Sequence, residues 1–455
     1  MIAAEPKTTG QYQPYPEYKN TGLTWLGAIP NHWGLKRAKF VFKRVQRPVR
    51  VEDDIVTAFR DGQVTLRSNR RTEGFTNALQ EIGYQGVRSG DLLIHAMDGF
   101  AGAIGISDSE GKCSPVCSVC IPISAESVNP YYYGYLVRQL AVTGFITSLS
   151  KGIRERSTEF RFSEFSPLEL AVPPVNEQHI IAAFLDYETA RIDRLIAQQQ
   201  RLIELLKEKR QAEISHAVTK GLNPNAPMKD SGVEWLGQVP EHWVIPQIGY
   251  LCNVTKLTGF EYTNYWEPDD SGEIIALRGY NIGERILDLE KKTEKISRKL
   301  SKKLARSKLH QGDVVMPCTG TLGNAAVIPK SDTFHINQNI AKLTFSDVIN
   351  PDYACYWVTS NNFRRMIDHN NTSGMQPVLL IGDIRNMRIP VPPSIEQSEI
   401  VCYLNRKTAK FEAVIENGFK LLSLLQERRS ALISAAVTGK IDLRGWTPPA
   451  EEAAA

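Results

Sequence analysis

Residues 21–33, TGLTWLGAIPNHW, recur in altered form as SGVEWLGQVPEHW at residues 231–243. Seven positions are identical between the two stretches at a constant offset of 210 residues: Gly22, Trp25, Leu26, Gly27, Pro30, His32 and Trp33 in the first copy. A Pro-Pro-x-x-Glu-Gln box at 173–178 recurs at 392–397, and the register after it holds for about 45 residues. Chance matches do not keep one register over that length, so the sequence predicts an internal tandem duplication.

The stretches between the two kinds of box resemble each other only in short patches. The first reads as mixed strand and turn: a strand near 55–59, a hairpin turn at Asp61-Gly62 and a strand at 64–66. Strands are also predicted at 91–95 and 312–316, and each leads into a glycine-rich loop (99–102 and 320–323). A duplicated frame with two diverged inserts predicts one scaffold that carries two different recognition surfaces.

A long helix is predicted after each Pro-Pro box, because apolar residues there recur at helical spacing with charged residues between them. Each helix would run about 40 residues, roughly 60 Å. The residues expected at a helix–helix or partner interface are Ile192, Ile196, Leu202 and Leu206 in the first copy and Val414, Ile415, Leu421 and Leu425 in the second. One apolar stripe per helix needs a cover, and an antiparallel coiled coil of the two helices supplies it. The alternative is that each helix packs separately on its own insert.

The predicted fold class is therefore α+β, with two mixed α/β recognition domains separated by two long helices. The predicted ranges are a flexible N-terminus at 1–16, domain 1 at 17–175, helix 1 at 176–219, a linker at 220–227, domain 2 at 228–394, helix 2 at 395–438 and a disordered tail at 447–455.

Composition excludes some classes of protein. Hydrophobic residues make up 42% and charged residues 23% of the chain, which is typical of a water-soluble globular protein. No apolar run approaches about 18 residues and the first residues do not resemble a signal peptide, so we expect a cytoplasmic protein without membrane contact. The seven cysteines fit reduced thiols. Cys113, Cys117 and Cys120 could suggest zinc, but a fourth ligand is missing nearby, and buried thiols are the favoured interpretation.

Motifs for catalysis are missing from the sequence. It contains no phosphate-binding Gly-x-x-x-x-Gly-Lys-Ser/Thr loop, no Gly-x-Gly-x-x-Gly that opens a helix and no His-Glu-x-x-His. His32 and His242 lie in the duplicated box, where a structural role is favoured. We therefore predict neither catalytic residues nor a metal site nor a cofactor in this chain.

Nucleic-acid contact is predicted from clusters of basic and amide side chains, since the net charge of +4 is too small to decide the question. Arginine pairs with guanine, and asparagine or glutamine with adenine, in the major groove. The candidate DNA-binding residues are Arg67, Arg70, Arg71, Lys151, Arg154 and Arg156 in the first insert and Thr319, Gln338, Asn339 and Gln376 in the second. A basic run from Lys291 to Lys308 adds candidate phosphate contacts. Solvated loops and helix faces remain the alternative for each of them.

Taken together, the paired Trp-Leu-Gly-x-x-Pro-x-His-Trp boxes, the Gly-Asp-Leu-Leu (90–93) and Gly-Asp-Val-Val (312–315) segments and the Pro-Pro-x-x-Glu-Gln boxes have a family resemblance. The two helices that end in Ala-Val-Thr (217–219 and 436–438) complete the pattern. In this order, over about residues 17–440, the chain resembles the specificity subunits of type I restriction–modification systems.

The resemblance implies that each recognition domain reads one half of a split, asymmetric site on double-stranded DNA. It also implies that the helices set the spacer and dock two methyltransferase subunits, and that motor-nuclease subunits join this core. S-adenosylmethionine, ATP and magnesium would then belong to those partners. Three alternatives remain: a fused methyltransferase or nuclease, a coiled-coil adaptor without nucleic acid, and the specificity subunit of a related two-part restriction system. We hypothesise that inserting about four residues in helix 1 lengthens the tolerated gap.

Overall fold

The computed structural model describes residues 12–70, 81–149, 159–370 and 378–449. The chain divides into two compact units: unit 1 comprises residues 1–199 and 421–455, and unit 2 comprises residues 200–420. Each unit therefore contains part of both long helices. The predicted domain ranges, which assign each helix as a separate segment, stay predictions.

Unit 1 begins with short strands and helices that follow the turn signals of the sequence. The strands are β1 (Tyr18–Asn20), β2 (Ala28–Pro30), β3 (Gly34–Arg37), β4 (Phe42–Val45), β5 (Val56–Ala58), β6 (Val64–Leu66), β7 (Gln85–Val87), β8 (Leu92–His95), β9 (Ile104–Ile106), β10 (Gly111–Cys113), β11 (Cys117–Pro122) and β12 (Glu169–Val172). The helices are α1 (Pro130–Val142), α2 (Phe145–Ser148) and α3 (Phe162–Phe165), followed by the long helix α4 (Val175–Lys220) that continues into unit 2.

Unit 2 repeats much of this order. Its strands are β13 (Met228–Asp230), β14 (Gln238–Pro240), β15 (Cys252–Lys256), β16 (Ile274–Leu277), β17 (Glu294–Ile296), β18 (Val314–Pro317), β19 (Ala326–Val327), β20 (Phe334–Ile336) and β21 (Ile340–Phe345). Its helices are α5 (Gly259–Tyr265), α6 (Arg298–Lys303), α7 (Pro351–Val358), α8 (Asn361–Asn370) and α9 (Ile381–Asn386), followed by the second long helix α10 (Ser394–Val437).

The duplication is clearest in the sheets. Each unit has a four-stranded antiparallel sheet of the same order, β4-β11-β8-β9 in unit 1 and β15-β21-β18-β19 in unit 2. The Trp-Leu-Gly box forms the turn of a hairpin in each unit, β1 with β2 and β13 with β14. The predicted hairpin with the turn at Asp61-Gly62 is confirmed as β5 paired with β6, and Gly62 adopts φ +92°, which favours glycine.

A carboxylate at the start of each long helix fastens the helix to the duplicated Trp-Leu-Gly-x-x-Pro-x-His-Trp segment (25–33 and 235–243), called the tryptophan box below. Trp33 is fully buried, and its indole N–H donates to Glu177 at 2.9 Å. His32 bonds to the same carboxylate at 2.7 Å, and the Tyr15 hydroxyl donates to it at 2.9 Å. Burial, together with the Glu177 charge, raises the pKa of Tyr15, so this hydroxyl remains a donor.

Unit 2 repeats this arrangement with fewer partners. The Trp243 indole N–H donates to Glu396 at 3.1 Å, and His242 bonds to Glu396 at 2.7 Å. The two histidines of the duplicated box therefore hold scaffold contacts in both units.

The far end of each long helix packs into the other half of the duplicated frame. In unit 1, the Tyr132 hydroxyl donates to the carbonyl of Val437, near the end of α10. In unit 2, the equivalent Tyr353 hydroxyl lies 2.8 Å from the carbonyl of Pro390 and 3.3 Å from the carbonyl of Val218, near the end of α4. Each unit thus combines the start of one long helix with the end of the other, so the two helices run antiparallel. Side-chain pairs agree with that direction: Arg429 with Asp193 at 2.8 Å in unit 1, and Tyr403 with Glu213 at 3.1 Å in unit 2.

The predicted apolar stripe is buried only in part. Ile192 and Ile415 are buried and Ile196, Leu206 and Leu425 are partly buried. Leu202, Val414 and Leu421, however, are 46%, 50% and 44% exposed, and the residues buried instead are Ile203 and Leu422. These three side chains therefore do not pack between the helices, and their assignment to a partner interface stays a prediction. An antiparallel pair buries only a narrow seam, whereas the sequence stripe is wider than that seam.

Two other expectations are settled by burial. The N-terminus is not loose throughout 1–16, because Tyr15 is buried and the Tyr12 ring packs edge-on against Phe184. Residues 1–11 and 450–455 lie outside the described residues. Cys113, Cys117 and Cys120 are buried thiols, as predicted. Within the described ranges, none of the helices has the length and apolar character needed to cross a membrane.

Candidate nucleic-acid interface

The two described candidate residues of unit 1, Arg67 and Arg70, lie near one end of its four-stranded sheet. His95, the last residue of β8, pairs with Cys117, the first residue of β11, and this pair marks the end. A groove of about 760 Å³ opens there and is lined by Arg60, Arg67, Arg70, Tyr84, His95 and Asp98 among others. The hairpin of β5 and β6 supplies the arginines, since Arg60 follows β5 and Arg67 follows β6.

The arginines of this groove are held in place by neighbours. Arg70 forms an ion pair with Asp61 at 2.8 Å, and its guanidinium lies over the Phe59 ring at 4.3 Å. Arg67 Nε donates to the Thr57 hydroxyl at 3.4 Å. Held side chains lose less conformational entropy on binding, so the groove is suited to the recognition of an anionic or hydrogen-bonding surface.

Arg60 and His95 complete the groove. Arg60 is paired with Asp98 at 2.8 Å, and His95 Nδ1 accepts the backbone N–H of Asp98 at 3.0 Å. Burial lowers the pKa of His95; Asp98 opposes this effect and Arg60 adds to it. His95 is therefore neutral at physiological pH, and the positive charge of the groove comes from its arginines.

The described candidate residues of unit 2, Thr319, Gln338 and Asn339, lie at the equivalent end of the second sheet. Pro317, the last residue of β18, pairs with Ile340, the first residue of β21, and the next backbone N–H, from Cys318, donates to the carbonyl of Asn339 at 2.7 Å. Thr319 therefore lies close to Gln338 and Asn339, both of which are exposed. Asn339 adopts φ +68°, a conformation that asparagine tolerates better than most residues.

The structure adds one residue that the sequence interpretation missed, Arg278. Strands β16 and β20 are parallel and end side by side, with Leu277 paired to Ile336 and the Asn337 N–H donating to the Leu277 carbonyl at 3.1 Å. Arg278, the next residue after β16, therefore stands beside Asn337 and Gln338. The signal in the sequence was an arginine placed directly after a short apolar strand.

Glu294 holds the Arg278 side chain at this edge. One carboxylate oxygen of Glu294 pairs with Arg278 Nη2. The other oxygen accepts the Trp266 indole N–H at 2.6 Å and the Asn337 side-chain amide at 3.0 Å. Burial lowers the pKa of Arg278, but the hydrogen bond and negative charge of Glu294 outweigh it, so the net pKa is raised.

The predicted basic run forms an exposed cationic surface in unit 2. Its exposed members are Lys291, Lys292, Lys295, Arg298, Lys299, Lys302, Lys303 and Arg306. Lys303 lies 3.6 Å from the centre of the Tyr265 ring, and Arg306 reaches the carbonyl of Lys256, the last residue of β15, at 3.5 Å. Lys256 pairs with Ala341 near the start of β21, so part of this surface adjoins the Thr319–Asn339 edge.

Five candidates, Arg71, Lys151, Arg154, Arg156 and Gln376, lie outside the described residues. Four of the five lie in the ranges 150–158 and 371–377. The described residues that follow these two ranges lie at the same sheet ends. The Phe160 N–H donates to the carbonyl of Ala96, just after β8, at 2.8 Å, and the Leu379 N–H donates to the carbonyl of Cys318, just after β18, at 2.9 Å. The five remain predictions.

Comparisons with known proteins agree with the duplicated fold. Residues 240–418 match the family described as the type I restriction modification DNA specificity domain. The type I restriction enzyme EcoBI specificity subunit of Escherichia coli is 22% identical over 357 residues, covering 77% of this chain and 73% of that protein. The EcoKI specificity subunit of E. coli K12 is 22% identical over 310 residues, covering 65% of this chain and 62% of that protein.

Solved structures show the same fold over nearly the whole chain. A chain from a structure of type I restriction–modification complex assembly and conformational transition superposes with a TM-score of 0.67, 15% identity and coverage of 90% of this chain and 98% of that chain. The HsdS subunit from Thermoanaerobacter tengcongensis gives a TM-score of 0.51, 16% identity and coverage of 91% and 98%.

The architecture is thus a duplicated α+β frame with two compact units and two long helices. Residues 240–418 match the DNA specificity domain of type I restriction–modification systems, and over most of its length the chain is similar to the specificity subunits of those systems.

Proposed function

We propose that this protein selects a split DNA site, with unit 1 reading one half and unit 2 the other, and that catalysis is carried out by partner subunits. The observation that carries the proposal is the pair of equivalent sheet ends. Different side chains lie near the same end of the equivalent four-stranded sheets. In unit 1 they are arginines from the neighbouring β5–β6 hairpin; in unit 2 they are the amides between β20 and β21, with Arg278 after β16. Equivalent positions with unlike chemistry favour an asymmetric target.

In this proposal, S-adenosylmethionine-dependent adenine methylation belongs to the methyltransferase subunits, and ATP and magnesium belong to the motor-nuclease subunits. The chain contributes sequence choice through its sheet ends and phosphate affinity through the basic surface near α6. Extruding the target adenine from the duplex would likewise be the work of the methyltransferase.

The test is a methylation map. The chain is co-expressed with its cognate methyltransferase subunit in a host that lacks other adenine methyltransferases, and N6-methyladenine is located by sequencing. We expect one motif of two unlike halves separated by a fixed gap. A methylated motif without a gap would contradict two-headed reading. An assembled complex that neither methylates DNA nor retains duplexes in a salt-sensitive manner would favour the adaptor alternative.

We further propose that the long helices dock two methyltransferase subunits, one on each unit. Exposed apolar side chains occur at equivalent places, Leu195 and Leu424 in unit 1 and Val414 and Leu205 in unit 2, with exposures of 43%, 60%, 50% and 44%. The ion pair between Asp193 on α4 and Arg429 on α10 sets the register of the two helices. In that register, Leu195 and Leu424 lie within about one helical turn of each other along the helix axis. Two equivalent apolar patches on one chain suit two copies of the same partner.

Glutamate substitutions at these patches are expected to remove the partners one at a time. L195E with L424E should lower the occupancy of one methyltransferase copy at least 10-fold, and L205E with V414E should do the same for the other, because a charge is then buried at the interface. Native mass spectrometry counts the bound copies. Q200E is the control for added charge, because Gln200 is exposed and lies about 140° around α4 from both Leu195 and Leu205. A full complement of two copies in both double variants would contradict this docking surface.

A further inference from the structure

Arg278 is held by more than an ordinary surface ion pair. Its partner Glu294 has a side chain only 13% exposed, whereas the Arg278 side chain is 42% exposed. Both carboxylate oxygens of Glu294 are engaged, one by Arg278 and the other by Trp266 and Asn337. A simple exposed ion pair adds little stability and does not require a buried, fully engaged carboxylate. This arrangement fixes the carboxylate, and the fixed carboxylate orients the guanidinium.

The backbone around Arg278 is fixed as well. Its N–H donates to the Asn281 side chain at 3.1 Å, and the Asn281 N–H donates back to the Arg278 carbonyl at 2.8 Å. Arg278 Nε is buried without a hydrogen-bond partner. Among the described side chains, the carboxylate of Glu294 holds the guanidinium through Nη2.

The free edge of the guanidinium has the donors that a guanine requires. Arg278 Nη2 carries two N–H groups and gives one to Glu294, which leaves its second N–H and the two of Nη1. An arginine fork donates in parallel to guanine O6 and N7 in the major groove. Gln338 and Asn339 stand beside it at the same edge, and their amides suit a neighbouring adenine.

We propose that Arg278 is a specificity-determining residue that reads one guanine in the half-site recognised by unit 2, and that Glu294 is its positioning residue. The proposal rests on the proposed function, because it assumes that unit 2 reads a half-site. It goes beyond that function by assigning one base to one side chain. It also separates Arg278 from the lysines and arginines near α6, whose contacts would be to phosphates.

The experiment compares the wild type with R278Q, R278K and E294Q in the full methyltransferase complex. Two readouts are used: the N6-methyladenine map, and the duplexes that the purified complex enriches from a randomised library. For R278Q we expect the preference for guanine at one position to fall about 10- to 100-fold, with the other half-site and the gap unchanged. R278K keeps the charge but loses the planar fork, so it should relax the same position.

E294Q tests positioning. It should relax the same position to a smaller extent, whereas a merely structural role would lower the thermal midpoint and leave base preference unchanged. R388Q is the matched control, because Arg388 is also an exposed arginine of unit 2. Its backbone forms an isolated β-bridge with Gln247, which precedes β15, so Arg388 lies toward the opposite end of the sheet. R388Q should retain the complete motif.

The outcomes separate the two proposals. If the wild type enriches a split motif and R278Q keeps the same base preference, the assignment of Arg278 is overturned while the proposed function stands. If R278Q weakens binding equally at all sequences and R278K restores it, Arg278 contacts a phosphate and base reading is overturned. If the wild-type complex enriches no sequence in either readout, the proposed function fails and the assignment fails with it.

Discussion

Replacing Glu177 with alanine is expected to destabilise unit 1 by about 3 kcal/mol. The substitution leaves the buried Trp33 indole N–H and the Tyr15 hydroxyl without their acceptor, and each unsatisfied buried donor costs about 1–3 kcal/mol. His32 loses the same partner but is 40% exposed, so water can replace it. E177Q keeps one acceptor oxygen, and its effect should be intermediate.

The internal duplication supplies a matched comparison. Glu396 occupies the same place in unit 2, but its side chain is 23% exposed against 10% for Glu177, and its described partners are Trp243 and His242 alone. E396A should therefore cost less, about 1–2 kcal/mol, and the loss should be confined to unit 2. E416A, on the exposed surface of α10, is the neutral control and should stay within about 0.5 kcal/mol.

Hydrogen exchange read by mass spectrometry distinguishes the units. For E177A, exchange should accelerate in β4, β8 and β11 and in the start of α4, with β15, β18 and β21 unchanged. E396A should give the reverse pattern. If the sheet of unit 1 exchanges at the wild-type rate in E177A, the carboxylate does not fasten the helix to the tryptophan box.

The sequence singled out the segments that contain Trp33 and Glu177, but it did not predict the hydrogen bond between the two side chains. Trp33 and Glu177 each lie in a duplicated box, and the separation of 144 residues leaves no periodic signal that would join them. The same holds for the ends of the helices. Local pattern predicted α4 and α10 closely, but it could not predict that Tyr132 bonds to Val437 or Tyr353 to Val218. Contacts between distant segments depend on packing, which periodicity does not encode.

The sequence identified part of the candidate DNA-binding site and missed another part. Single exposed polar residues, such as Gln338 and Asn339, could be selected because amides and arginines have base-reading chemistry. The sequence did not single out Arg278, because its distinctive property is its ion pair with Glu294. Trp266 and Asn337 hold that carboxylate, and only the structure brings these residues together. The sequence also could not decide whether Leu202 and Leu421 face the other helix or remain exposed. Adjacent positions such as Leu202 and Ile203 are both apolar, and the choice of which one is buried depends on the facing helix.

Lengthening both long helices is expected to change the DNA target itself. The division between the units falls after Gln199 in α4 and after Lys420 in α10, so both helices pass from one unit into the other there. The hypothesis drawn from the sequence placed the insertion in helix 1 alone. The antiparallel pairing of α4 with α10 changes that hypothesis, because a single insertion would leave α10 at its original length. Four residues inserted at both places add about 6 Å of helix, which corresponds to roughly two base pairs at 3.4 Å each.

The methylation map of the double insertion should therefore show both half-sites unchanged and a gap about two base pairs longer. The half-sites are preserved because the sheet ends that would read them lie far from the insertions in sequence. The single insertion in α4 is the comparison, since it opposes an unaltered α10 and should reduce folding or methylation rather than shift the gap cleanly. Efficient methylation by the double insertion at the original gap would show that the helices do not set the spacing.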